Sequence, residues 1–95
     1  MALLLDPYVF NVLMRDLTGH DRRPAAFIVY LALWWKSAHD EDMQLSLQQL
    51  ADATGLSKSA VQASVRLLTR RRLLRADRDL PTSVPRYSLL RPWAR

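Results

Sequence analysis

Twelve arginines and two lysines are the residues of this 95-residue chain best equipped for chemistry, and that chemistry is the binding of anions. A guanidinium presents a planar fork of donors that suits phosphate oxygens and guanine edges better than an ammonium does. The charge is also polarised. Residues 1–48 carry four basic and six acidic side chains, a net of −2, whereas residues 49–95 carry ten basic and three acidic ones, a net of +7. Such asymmetry predicts a polyanionic partner for the second half. A GC-rich genome would explain the ratio of arginine to lysine equally well, but not the clustering. For catalysis the chain is poorly provided. It has no cysteine, and His20 and His39 lack a second histidine at metal-ligand spacing. Paired carboxylates, a glycine-rich phosphate loop and a nucleophile–base set are all missing, which predicts no enzyme, no metal and no cofactor.

The elements that must position these cations are mostly helical. Asp6-Pro7 is a helix-start signal, and Val9, Phe10, Leu13, Met14 and Leu17 form a helical stripe that Gly19 should end. Pro24 opens a second helix, apolar nearly all round to about Ala38, which predicts burial by neighbours on several sides. The acidic loop His39-Asp40-Glu41-Asp42 follows, and both histidines read as surface residues beside loops. Of the adjacent Trp34 and Trp35, pointing about 100° apart, at least one must pack against protein. Met43-Gln44-Leu45 is a candidate short strand. Ser46 and Gln49 then have the spacing of a capping box. The helix they open closes at Gly55, and Ser57 starts another only two residues later. In that fourth helix Val61, Ser64, Val65 and Leu68 fall on one side, with Ser59, Gln62, Ala63, Arg66 and Arg70 opposite. Leu73–Asp77 and Arg86–Leu90 read as two strands of a hairpin joined by a loop rich in proline and polar residues.

Helix, helix, short strand, helix, turn, helix, hairpin is an order that resembles a winged helix-turn-helix domain. Residues 47–68, from Leu47-Gln48-Gln49-Leu50-Ala51 through Gly55-Leu56-Ser57 to Leu67-Leu68, are similar to that motif in GntR-like and MarR-like bacterial regulators. Ala51 is small where two helices cross, Gly55 supplies a positive φ, Leu56 plugs the angle and Ser57 caps the next helix. The resemblance covers residues 24–90. It departs from the family where Arg72 stands just before the first wing strand, a place often held by glycine, which implies mild strain. The fold expected is therefore mainly α with a small β-hairpin wing, a winged helix-turn-helix with an extra N-terminal helix. One domain should fill residues 1–95, with the first helix at about 6–19, the helix-turn-helix at about 46–71 and the wing at about 73–90.

The resemblance implies double-stranded DNA as partner, with the helix from Ser57 in the major groove. Ser57, Lys58, Ser59, Gln62, Ala63 and Arg66 would then face the bases. Gln62 suits adenine, Arg66 or Lys58 a guanine or a phosphate, and Ala63 close approach or a thymine methyl. Arg70, and in the wing Arg78 and Arg86 with Thr82 and Ser83 as smaller donors, would meet the backbone or minor groove. Ser57 also serves simply as a cap, Gln62 as a solvated residue, and Arg70-Arg71-Arg72 as a helix end favoured by the dipole. Three function classes stay open: a homodimeric transcriptional regulator, a replication or plasmid/phage initiator module, and a protein-docking winged helix. The first helix, with Leu3, Leu4 and Leu5, is the expected dimer element. The apolar run Ala2–Leu5 is too short for a signal peptide or a membrane span, so the expected location is cytoplasmic, with no membrane partner.

Overall fold

The computed structural model describes residues 4–39 and 42–94, so Leu3, Asp40 and Glu41 of the expectations above lie outside the described residues. Helix α1 spans residues 7–20. Asp6 starts it, its carboxylate accepting the Tyr8 N–H at 3.0 Å. Most of α1 is wound wider than an α-helix, with π-type turns at Val9–Leu13 and Asp16–His20. The N–H groups of Met14 and Asp21 reach back five residues, to the carbonyls of Val9 and Asp16. In a regular α-helix, side chains four apart drift by about 40° per step, and a wider turn reduces that drift. Val9, Leu13 and Leu17 are accordingly buried in one line, while Phe10 and Met14, expected on the same stripe, stand 48% and 37% exposed. The helix also runs through Gly19, and the chain breaks instead at Arg22, whose φ is +55°.

Helix α2, Pro24–Ala38, is the centre of the molecule. It packs against α4, α3, the second half of α1 and β2. Ala26, Phe27, Val29, Tyr30, Leu33 and Trp34 are buried, each of the larger ones contributing roughly 1.5–3 kcal/mol through apolar burial. The apolar surround is not fully covered, however: Ile28 and Trp35 are 41% and 42% exposed. His39, expected at the surface, is half-buried and stacks on the Trp35 ring at 3.8 Å.

Helices α3 (Leu47–Thr54) and α4 (Lys58–Arg70) follow. The capping box is complete, with the Gln49 N–H donating to Ser46 Oγ at 3.1 Å and the Ser46 N–H donating to Gln49 Oε1 at 2.8 Å. Gly55 ends α3 in the left-handed region, φ +78°. Inward, α4 buries Val61, Ser64, Leu67 and Leu68, with Val65 half-buried, and Ser64 Oγ donates to the Ala60 carbonyl at 2.7 Å. The Leu73 N–H reaches Leu68 O at 2.9 Å and the Arg72 N–H reaches Thr69 O at 3.1 Å, a Schellman closure of α4. Its left-handed position is Arg72, φ +58°, the strained residue that the missing glycine implied. Strands β1 (Leu74–Asp77) and β2 (Arg86–Leu89) pair antiparallel, Leu74 opposite Leu89 and Asp77 opposite Arg86. Met43–Leu45 joins their edge through one bridge, Gln44 to Arg86, less than a full strand. Among the described residues the architecture is thus four helices with a terminal hairpin, mainly α, an N-terminal helix preceding the helix-turn-helix.

At Gly55 an added Cβ would meet nothing within 4 Å, so only the backbone angle selects glycine. Gly55→Ala should cost about 1–2 kcal/mol and Gly55→Val more, since a β-branched residue resists positive φ. Thermal unfolding checks this; equal melting temperatures for wild type and the valine variant would show that the turn is not under this constraint.

Candidate nucleic-acid interface

The turn at 54–57 aims α4. The Thr54 hydroxyl donates to the Leu50 carbonyl at 2.7 Å and accepts the Leu56 N–H at 3.3 Å. Ser57 Oγ accepts the Ala60 N–H at 3.1 Å and lies 3.3 Å from Ser59 Oγ. With its inner side committed to the core, α4 shows solvent a row of Lys58, Gln62, Arg66 and Arg70, each four residues after the last and all exposed. The wing folds back along this row. At its tip Ser83 N–H donates to Leu80 O at 2.9 Å, Leu80 N–H donates to Ser83 Oγ at 3.1 Å, and Arg78 donates to the Ser83 carbonyl at 2.8 Å. These bonds fix the loop between the strands, with Pro81 and Pro85 stiffening it further.

Between α4, the start of α3 and the wing lies a groove of about 430 Å³. Lys58, Gln62, Arg66, Arg78, Thr82 and Ser83 line it, so six of the eleven residues singled out from the sequence converge on one concavity. Among the described residues no carboxylate lines it. Three cations without a counter-charge, beside neutral donors, make a surface for an extended anion. Tyr87 forms part of the floor, its hydroxyl pKa raised by burial and pulled back somewhat by Arg78. Of the other residues, Ser57 and Ser59 sit exposed at the mouth of α4, Ala63 is half-buried beside Gln62, and Arg70 continues the row beyond the groove. Arg86 stands apart. Tyr87 points inward, so Arg86 takes the outer face of the wing, where it donates to Asp42 at 3.1 Å and to Gln44 at 3.3 Å. Arg75 on the same face pairs with Asp77 at 3.1 Å.

Sequence reasoning missed Ser46 and Gln48, which also line the groove. The capping box at Ser46 was visible, but that the wing would lie opposite it was not.

The Asp42–Arg86 pair is exposed on both sides, 68% and 59%, so solvent screens it to about 0–1 kcal/mol. Asp42→Ala should therefore move the melting temperature by no more than a few degrees while releasing Arg86, so that the variant elutes from immobilised heparin at higher salt. Elution at the wild-type salt concentration would mean that Arg86 is not available to a polyanion.

Compared with models of protein families, residues 26–79 match the one described as the MarR family. The matched span runs from α2 through α3 and α4 to just past β1, more than half of the chain. No curated protein and no solved structure matches it.

Proposed function

Because the chain belongs to the MarR family of winged helix-turn-helix domains, we propose that it is a transcriptional regulator that binds double-stranded DNA sequence-specifically, with residues 1–95 acting as one unit in the cytoplasm. The observation that carries this reading is the groove between α4 and the wing, cationic and without a carboxylate among the described residues. In the proposed complex α4 enters the major groove. Gln62 and Arg66 read base edges there, Lys58 and the Ser57-capped helix start hold phosphate, and Arg78 and Thr82 follow the adjoining backbone. Arg86 joins them only once detached from Asp42. A protein-docking winged helix would use three unpaired cations only for an acidic partner, and the duplex titrations below separate the two readings. A replication or plasmid/phage initiator module would use the same surface, and a map of bound sites separates it from a regulator. The described residues hold no cluster of metal ligands and no helix long and apolar enough to cross a membrane, and the proposal involves no metal, cofactor, catalytic step or membrane partner.

One small module binds a single half-site weakly, so the proposed form is a homodimer. Phe10 and Met14 turn outward from α1 at i and i+4, and Leu4, 85% exposed, precedes them. This apolar side of α1 is the proposed contact.

Affinity for a duplex should fall steeply with salt, with a log–log slope of roughly −4 to −9 for the dimer. Gln62→Ala should lower discrimination between cognate and mismatched sites by about 1–3 kcal/mol while leaving the salt slope unchanged. Fluorescence anisotropy titrations measure both; a flat salt response would remove the DNA reading. Sedimentation equilibrium of Phe10→Asp/Met14→Asp should show a monomer at concentrations where the wild type is a dimer, and a wild type that is monomeric throughout would remove the dimer.

A further inference from the structure

We propose that the arginines around the C-terminal end of α4, namely Arg22, Arg23, Arg70 and Arg72, form a second phosphate-binding surface that grips the same DNA duplex on the flank beyond the groove. This rests on the DNA reading above. Arg71 brings the four together: one guanidinium nitrogen bonds the carboxylate of Asp21 and the other lies 3.7 Å from Asp16, tying the end of α4 to the α1–α2 turn. Arg22 follows Asp21 directly and Arg72 follows Arg71, so the bridge sets the two turns side by side. Arg71 and His20 occupy the two acids of this region. Among the described residues Arg22, Arg23, Arg70 and Arg72 make no ion pair, and all four are exposed. The row Lys58, Gln62, Arg66, Arg70 runs the whole of the 13-residue helix, about 20 Å, and its last two members carry the groove's charge on to this cluster.

The backbone supplies a second, independent reason. Arg22 and Arg72 are the two non-glycine residues with positive φ among the described residues, +55° and +58°. Each closes a helix where glycine is the unstrained choice: after Arg72 the Leu73 N–H returns to Leu68 O at 2.9 Å, and after Arg22 the Arg23 N–H returns to Leu17 O at 2.7 Å. Favouring the helix dipole does not demand these positions, because Arg70 in the last turn and Arg71 at the cap, φ −81°, already sit at the end of α4 without positive φ. What a left-handed position adds is a side chain held beyond the helix end, clear of the core. Strain kept at exposed cations is the pattern of a ligand clamp.

Glycine at both positions removes charge and strain together, so loss of binding cannot be blamed on a damaged fold. Arg22→Gly/Arg72→Gly should melt a few degrees above wild type and still bind duplex, with the salt slope smaller by about two per protomer. Hydroxyl-radical footprinting should show lost protection on the flanking phosphates, the central protection being kept. Arg22→Lys/Arg72→Lys, which keeps the charge, should retain the wild-type slope. A glycine variant with the wild-type slope and footprint would overturn the proposal, as would a lysine variant that loses as much as the glycine one. A smaller slope with an unchanged footprint would overturn the assignment to the same duplex. If wild type binds no duplex at all, the DNA reading itself fails.

Discussion

Between Thr54 and Leu56 the chain passes through one left-handed residue, and two hydrogen bonds of the Thr54 hydroxyl hold the passage in shape. The direction of α4 is decided there. Were α3 to continue by even one turn, Val61, Ser64 and Leu68 would lose their places against α2, and the row from Lys58 to Arg70 would no longer face the wing. The wing is bound by the same geometry from its other end. Leu73 and Leu74 are buried immediately after the Schellman closure of α4, so β1 must start under the helix, and the loop ahead of β2 returns along it. A groove bounded by two fixed helix ends and a hydrogen-bonded loop presents its cations without first having to order them, which lowers the entropic cost of meeting a ligand.

What the sequence made legible was whatever is decided locally. Capping chemistry at Ser46 and Ser57, the glycine at 55 and the period of α4 each involve residues within a few positions of one another, and they placed α3, the turn, α4 and half of the groove. Arg72 was readable as a strained substitute because a known pattern puts glycine there. Contacts between distant segments were not readable. Trp93 stacks on Tyr8 with ring centroids 4.4 Å apart and donates to the Asp6 carboxylate at 2.9 Å, which holds that group below its ordinary pKa. Nothing in the sequence around Pro92 announces that the tail closes onto the start of α1. The π-type winding of α1 was hidden for a different reason. A stripe at 9, 10, 13, 14 and 17 fits a regular helix, and only packing against α2 shows that one pair faces out.

Arg86 illustrates what a charge count leaves out about a surface. It belongs to the +7 half and to the wing, and both facts suggested a phosphate contact. Strand alternation sends it to the face opposite Tyr87, where an aspartate from before α3 meets it. Together with the pairing of Arg75 and Asp77, this leaves the wing's outer face with its two arginines compensated while the groove side keeps its cations free. Exposed pairs of this sort contribute little stability. Their effect is on the field, since compensation on one face and none on the other points the potential of the molecule into the groove.

Gly55 and Arg72 pose the same backbone problem and receive opposite answers. Each ends a helix at a positive φ, +78° and +58°. An added Cβ at Gly55 would have open space, so neither crowding nor burial forces glycine there; relief of strain suffices. The same relief is on offer at position 72 and is declined, and it is declined again at Arg22. If backbone angle were the whole account, residues 22 and 72 would be glycine as 55 is. The proposed phosphate contact would account for the difference. Turned into solvent beside a bridge that has already consumed Asp16 and Asp21, a guanidinium contributes nothing to the core and a good deal to the local field. Stability and surface charge are thus in direct competition at these two turns, and the chain has resolved it toward charge.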